Sequence, residues 1–332
     1  MSRVRASLGP PILAISKITP EVFCYTEGMD ERESANIEPQ QSMQELVAQY
    51  GVEYPIEVID SPESPRLAEI AALDGEAFGG HVTLSEEDIK HILNNGGVIL
   101  GHTETDGRLI TEATLVLDAD EKGPSPLERN LPEWLGYCDG AAVSKDYRGK
   151  GLQKQLLLAR HEVAKSSGKE AAAASVRQAN VTSIKSMIKT GYVMVADSPH
   201  YYGADISDAR VVMLHDFNIG NPFTELDSDH EMLEDSLRGI IEPGQLQEKL
   251  SSGADIISLA VHQSDETNEN YNGAVAPLLR NGYIGVACSD IDIGDSDSER
   301  ADAMTFIKLD SLPFDTAESL RIRQKEIQAI VG

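Results

Sequence analysis

Positive charge is what this sequence has least of. Against 55 Asp and Glu it sets 28 Lys and Arg, a formal net charge of -27 over 332 residues. Phosphate contacts need a surplus of cations, so this balance argues against a nucleic-acid partner. The acidity would suit a cationic substrate, and it equally serves solubility when spread over a whole surface. Cysteine is scarce as well. Cys24, Cys138 and Cys288 form no CxxC and no cluster with histidine, which argues against a disulfide framework and against a zinc site, so no metal is expected. Cys138 lies in an apolar stretch and reads as a small core residue. No run approaches the roughly 18 apolar residues of a membrane span. Pro11-Ile12-Leu13-Ala14-Ile15 is too short for the core of a signal peptide. A cytoplasmic location with no membrane partner is the default expectation.

What is present is the balance of a folded chain, 41% hydrophobic and 25% charged, long enough for two domains. A short helix over Ser42–Tyr50 closes a patchy N-terminal stretch. Tyr54–Ile59 reads as a strand, Pro65–Phe78 as an amphipathic helix, and Leu84–Leu93 as a second helix stopped by Asn94-Asn95-Gly96-Gly97. Strands over Val98–Thr103 and Leu109–Leu117 flank the turn Asp106-Gly107, and a third covers Trp134–Val143. A helix over Leu152–Ser166, a strand over Ala171–Arg177, a helix over Val181–Lys189 and strands over Tyr192–Ala196 and Ala209–Leu214 follow. The expected fold is α/β in the α+β sense, a mixed, mostly antiparallel central sheet flanked by helices. Residues 1–52 form an extension, 53–217 the main domain, and 218–332 a C-terminal α/β extension.

The most informative element is the passage from the apolar strand ending Ala141-Ala142-Val143, through Ser144–Gly151, into the helix from Leu152. Glycines at 149 and 151 leave backbone N–H groups unobstructed where loop becomes helix. With the helix dipole and the charges of Arg148 and Lys150, these make an anion site. A lone Gly-x-Gly would say little, but its placement between strand and long helix supplies the confirming context.

The run Val143-Ser144-Lys145-Asp146-Tyr147-Arg148-Gly149-Lys150-Gly151-Leu152 resembles the central motif of the GNAT superfamily of acyl-CoA N-acyltransferases, Arg/Gln-x-x-Gly-x-Gly/Ala. Asn180, Ser183 and Gly191-Tyr192 resemble its second signature, and the element order agrees over about half the chain. The resemblance implies acetyl-CoA or a related short-chain acyl-CoA as cosubstrate. Pantetheine would lie along the backbone of Ala142 and Val143, and pyrophosphate on the amides of Arg148, Gly149, Lys150, Gly151, Leu152 and Gln153. Asn180 and Ser183 would face the pantetheine arm. The chain departs from the family at Gln153, where Gly or Ala is usual. It also departs at Met187, where many members carry the Tyr that protonates the leaving thiolate.

Amine acylation needs a base for the nucleophile, a donor for the thioester oxygen and an acid for the thiolate. Tyr137, Asp139, Ala141 and Val143 share a face of the third strand by period-2 alternation. Asp139 is the preferred base, directly or through a water; the alternative is that it only caps or orients local structure. Tyr137 falls where some relatives have Glu. Tyr202, in Tyr201-Tyr202-Gly203, sits on a segment that borders the acceptor pocket in the family. Tyr192 holds a position that packing explains better than catalysis. His91 and His200 read as surface residues. The acceptor is a small-molecule or peptide amine, with polyamine, aminoglycoside or basic peptide suggested by the acidity. A non-catalytic acyl-CoA sensor or scaffold is the other reading.

Residues 218–332 carry an echo of the first half. Ser251-Ser252-Gly253, a strand over Ile256–Val261, Gln263, a helix, Gly282–Ala287 and Ala303–Ile307 parallel Ser166-Ser167-Gly168, the strand from Ala171, Gln178, its helix, Gly191–Ala196 and Ala209–Leu214. The echo is either a degenerate half-repeat or a coincidence. Arg238-Gly239 is followed by Ile240-Ile241-Glu242-Pro243, which makes no phosphate nest. The acidic run Asp290–Glu299 reads as a solvated loop rather than a calcium site, and a helix over Asp315–Ile330 ends the chain.

Overall fold

The computed structural model describes residues 41–79, 83–178, 180–202, 209–219, 239–262, 269–292 and 300–332. The apolar run at 11–15, Cys24, Gly203, Arg238, Gln263 and residues 293–299 lie outside this set. The described helices are α1 (Met43–Ala48), α2 (Leu67–Phe78), α3 (Glu86–Asn94), α4 (Pro126–Arg129), α5 (Leu152–Ser166), α6 (Val181–Ile188), α7 (Leu246–Ser251), α8 (Glu269–Arg280) and α9 (Phe314–Val331). The strands are β1 (Ile56–Ile59), β2 (Val98–His102), β3 (Thr111–Val116), β4 (Leu135–Val143), β5 (Ala171–Arg177), β6 (Val193–Ser198), β7 (Arg210–Asp216), β8 (Ile256–His262), β9 (Tyr283–Asp292) and β10 (Arg300–Lys308). Among the described residues none of the helices is long and apolar enough to cross a membrane.

The ten strands form one sheet in the order β1-β2-β3-β4-β5-β7-β6-β9-β10-β8. Among the paired strands of the described residues, only β4 and β5 run parallel. The mixed, mostly antiparallel fold expected from the sequence is what the chain adopts. One face packs α1, α5, α6 and α8 over a core that includes Leu100, Leu115, Leu156, Val163, Met213, Val275 and Phe306. The other face carries α2 and α3 over Ile70, Ile89 and Ile99, then α4 and α9 over Leu127, Leu135, Val195 and Leu320. The short α4 was not foreseen. It is built on a capping box in which Ser125 accepts from the Glu128 amide and Glu128 accepts from the Ser125 amide.

Two features of β4 prepare a site. Thr114 pairs with Asp139 and Ala113 with Ala141, so Gly140, at φ 25°, is an extra bulged residue. On its other edge β4 pairs with β5 only from Leu135 to Tyr137, opposite Ala171 to Ala173, and then the strands part. Backbone groups that would otherwise have bonded across this seam are left facing an opening.

The C-terminal strands continue the same sheet. β8-α8-β9-β10 repeats the element order of β5-α6-β6-β7, and the strand order β5-β7-β6 is mirrored as β9-β10-β8. The halves meet where Met194 pairs antiparallel with Gly285, three residues beyond Gly191 and Gly282 respectively. Both carry a bulge next to that point, at Val195 and at Val286. A Cβ on Gly285 would sit 3.0 Å from the Met194 Cβ, so a side chain there would crowd Met194 at the junction. The register differs from the sequence alignment in one place: Ala174 and Ile257, facing Met213 and Phe306, are the equivalent residues, two positions out of step with the match of Gly168 to Gly253. Asp290–Asp292, expected as loop, belongs to β9.

Candidate active site

The loop after β4 makes one turn of 3-10 helix at Lys145–Tyr147, extends at Arg148, and then twists at Gly149 (φ 79°) and Gly151 (φ 76°) into α5. Both glycines occupy the left-handed region, which costs an L-residue roughly 1–2 kcal/mol. Nothing lies within 4 Å of a Cβ built on either, so the backbone twist, not crowding, demands glycine, and the surface above them is open. Gly151 is the N-cap of α5 and offers no side chain to its first-turn amides, which have no intrahelical partner. Arg148 Nε donates to the Val143 carbonyl at 3.2 Å, fixing the loop to the end of β4. Lys150 turns away to Tyr54, donating to its hydroxyl at 3.0 Å while lying 4.8 Å from the Tyr147 ring centroid. The Tyr147 hydroxyl donates to Glu104.

Beside the first turns of α5 a cavity of about 380 Å³ lies in the opening between β4 and β5. Gln153 and Leu157 line it from α5, Ala141 from β4, and Asn180, Ser183 and Met187 from α6. Asn180 caps α6, its Oδ1 accepting from the Ser183 amide at 3.1 Å, which leaves its amide nitrogen for other work. Ala142 and Leu152 are buried, and Val143 is half-buried at the strand end. An uncapped helix start, a glycine-lined loop with open space above it and an unpaired strand seam fit a long ligand with a phosphate end and an amide-bearing arm.

A model of the acetyltransferase (GNAT) family matches residues 47–192. Residues 47–192 belong to that family. No curated protein matches the chain. Among solved structures, the domain is similar to the ribosomal-protein-S18-alanine N-acetyltransferase from Escherichia coli, at 16% identity and TM-score 0.39, covering 49% of this chain and 94% of that one. An IAA acetyltransferase from Bacillus cereus gives 18% identity and TM-score 0.35, covering 48% and 97%. A Bacillus subtilis acetyltransferase in complex with CoA gives 19% and 0.36, covering 48% and 97%. The family match stops at residue 192, so the comparisons give no support to a second copy of the family in the C-terminal half.

In the GNAT domain, Asp139 and Tyr202 both line the cavity. Burial pushes the Tyr202 hydroxyl far above its ordinary range, and the Asp139 carboxylate adds to the shift. Tyr137 is fully buried and reaches the cavity only through Ser175, whose Oγ lies 2.9 Å from its hydroxyl. It also accepts from the Tyr201 hydroxyl at 3.2 Å, and burial is the main cause that carries Tyr201 to about 12. Tyr192 is a core residue: its hydroxyl contacts His161 Nε2 at 2.8 Å and Cys138 Sγ at 3.6 Å. Cys138 is buried, as expected, but it also lines the cavity. His91, read as a surface residue with no partner, pairs with Asp120 at 2.5 Å.

Several site residues were not foreseen. Arg160, on α5, sends Nη1 into the β4 bulge and donates to the carbonyls of Thr114 (2.9 Å), Asp139 (2.8 Å) and Gly140 (3.3 Å). Arg210 lies 4.7 Å from the Tyr202 ring centroid and donates to Ser175. Glu112 on β3 is fully buried, with its carboxylate near the Ala142 backbone amide but in no hydrogen bond of good geometry. Desolvation, then the Asp74 carboxylate, raise it to about 8 against the pull of Arg160. Glu128 rises to about 7, chiefly by desolvation and then by Asp139. Asp74 is raised by burial, though its Oδ2 accepts from the Leu84 amide at 2.7 Å.

Proposed function

We propose that this domain is an acyl-CoA-dependent N-acyltransferase that moves an acetyl or other short acyl group directly to a primary amine. The observation that carries the reading is one cavity that runs from Gln153, in the first turn of the helix that follows the glycine loop, along the unpaired β4–β5 seam, to Asp139 and Tyr202. Acyl-CoA supplies a thioester and a leaving thiol. Amides from Arg148 to Gln153 would hold the pyrophosphate, with Asn180 and Ser183 beside the pantetheine arm. The backbone of Ala141–Val143 offers the carbonyl oxygen a donor. Asp139 Oδ takes the proton of the incoming amine, directly or through a water. Tyr202 keeps its proton well above neutral pH and holds it ready at Oη. Tyr137 orients Ser175 and Tyr201 rather than touching the substrate. In this scheme 53–217 carry the chemistry and 218–332 extend the sheet.

A second reading, acyl-CoA binding without turnover, is favoured by one observation. Met187 lines the cavity where many members of the family place a proton-donating Tyr. Incubation with acetyl-CoA and a panel of primary amines, with detection of free thiol, separates the two. The transferase reading expects thiol release on at least one amine, reduced roughly a hundredfold in Asp139→Asn with acetyl-CoA binding retained. Acetyl-CoA binding with no thiol release on any amine selects the sensor.

A further inference from the structure

The cavity is lined from both faces of the sheet, and the two sides differ in chemistry. From the face of α5 and α6 come Gln153, Leu157, Asn180 and Met187, beside the proposed cosubstrate. On the opposite face the strands themselves supply charged groups. Tyr137 belongs to the core under α4 and α9, so Asp139, two residues on, shares its side. Val212 belongs to the same core, so Arg210, two residues before it on β7, shares that side too. Facing residues of an antiparallel pair project from one side of a sheet, and Ser175 faces Val212 while Arg177 faces Arg210. Asp139, Ser175, Arg177, Arg210 and Tyr202 all line the cavity. An acceptor that approaches the thioester from the side away from the cosubstrate meets these groups.

Arg210 is held in place but not satisfied. Its guanidinium stacks on Tyr202, 4.7 Å from the ring centroid, and Nη1 makes two long bonds to Ser175, 3.3 Å to Oγ and 3.4 Å to the carbonyl. Its Nε is buried without a partner. Both of its hydrogen bonds among the described residues come from Nη1, which leaves open the edge formed by Nε and Nη2. That edge carries two parallel N–H groups, the arrangement that takes a carboxylate bidentately. A buried donor without a partner is costly, and a bound acceptor accounts for it. The facing pair Arg177 and Arg210 adds a second argument, since like charges opposite one another repel and an anion between them removes the repulsion. Arg160 also has an unpartnered Nε, but it reaches the bulge from α5, on the cosubstrate side, where three main-chain carbonyls hold its Nη1.

Negative charge stands close by. Beyond the burial that raises the Tyr202 hydroxyl, the Asp139 carboxylate pushes it up and the Arg210 guanidinium pulls it down, so both charges lie near that hydroxyl. The net charge of -27 belongs to the whole chain, whereas on this side of the cavity Asp74 and Asp139 are matched by Arg177 and Arg210. A balanced set of that kind suits a zwitterion.

Resting on the transferase reading above, we infer that the acceptor is an amino acid: its amino group is presented at Asp139 while its carboxylate is held on the Nε–Nη2 edge of Arg210, beside Arg177. The amine nitrogen bonds to the thioester carbonyl carbon and the C–S bond breaks. One amine proton passes to Asp139, the departing thiolate takes one from Tyr202, and the product is an N-acyl amino acid. The site then selects against the same amine with its carboxylate removed or capped as an amide.

The test offers acetyl-CoA with the protein-forming L-amino acids, β-alanine and 4-aminobutanoate, each beside its carboxamide, and with n-butylamine and 1,4-diaminobutane. Thiol release is measured for every compound, and each is titrated calorimetrically into CoA-loaded protein. The inference expects the best substrate to be an amino acid, preferred over its carboxamide at least about thirtyfold in kcat/KM and in binding. In Arg210→Gln that preference falls at least about tenfold while acetyl-CoA still binds. Arg177→Gln, expected to lower the same preference at least about threefold, gives a second variant should the first fail to fold. A best substrate without a carboxylate, equal use and binding of acid and carboxamide, or an unchanged preference in both folded variants overturns the inference. Selective amino-acid binding without thiol release on any amine overturns the transferase reading and leaves the carboxylate site standing. Neither binding nor turnover of any compound overturns both.

Discussion

Glu112→Gln is expected to change how stability depends on pH, and the sign is fixed by burial. Glu112 ordinarily titrates at 4.5, and in the folded chain it is carried to about 8. Its folded-state value is raised, so the folded protein binds a proton that the unfolded chain has released, over an interval of about 3.5 pH units. Stability from this group is complete below pH about 4.5 and declines as pH rises, by about 1.36 kcal/mol per unit, until it levels off above about 8. The full loss is on the order of 5 kcal/mol, a large share of the 5–15 kcal/mol typical of a domain. Glutamine is uncharged throughout and close in shape to the protonated acid, so the variant should match the wild type near pH 4.5. It should exceed the wild type increasingly up to pH about 8. Glu128 is shifted in the same sense in both proteins and cancels in the difference, whereas Asp74, which helps to raise Glu112, loses that coupling in the variant. Urea midpoints measured from pH 5 to 9 give the difference curve. Parallel curves for the two proteins would refute the reasoning, because they would mean that Glu112 is ionised in the fold and satisfied by a partner.

The other expectations concern packing. Gln324 on α9 donates from Nε2 to the carbonyls of Val195 (3.0 Å), Leu279 (3.3 Å) and Tyr283 (3.2 Å), tying the C-terminal helix to the junction of the two sheet halves. Gln324→Leu should cost roughly 1–3 kcal/mol by urea unfolding, since the carbonyls lose their donor; a change near zero would show that α9 is not held there. Tyr192→Phe removes a hydroxyl bonded to His161 and Cys138. It should cost about 1 kcal/mol of stability and leave the transfer rate within about threefold, whereas a hundredfold loss with cosubstrate binding intact would place Tyr192 on the proton path.

The parts legible in the sequence were those written in local chemistry. Glycines at 149 and 151 announced an open loop where the chain turns into α5, and both sit there with no atom within 4 Å of a Cβ position. The helix expected from Val181 begins there, capped by Asn180. Tyr192 announced a core aromatic and is one. What stayed hidden depends on contacts between distant elements. The bulge at Gly140 and the parting of β4 from β5 arise from pairing, and no nearby residue marks where the pairing ends. Arg160 lies on a helix whose pattern gives no hint that its guanidinium plugs that bulge. Glu112 had left a trace: it alternates with Ile110, Thr114 and Val116, an inward register in which a Glu is out of place. Asp74 likewise sits four residues after Ile70 on the buried stripe of α2. The capping box Ser125–Glu128 was also readable, but four residues carry no periodicity. In the second half, Ser251-Ser252-Gly253 matched Ser166-Ser167-Gly168 as turn chemistry, while strand pairing chose a register two residues away.

The central claim, that the loop from Arg148 to Gln153 holds the phosphates of acyl-CoA, is tested most directly by calorimetric titration of acetyl-CoA into the wild type and into Gly151→Glu. The substitution puts a side chain on a left-handed residue and a negative charge at the uncapped start of α5. The account predicts saturable binding to the wild type, with affinity lowered at least about a hundredfold in a variant that remains folded by circular dichroism. Equal binding by the two proteins, or no binding by the wild type, would contradict it.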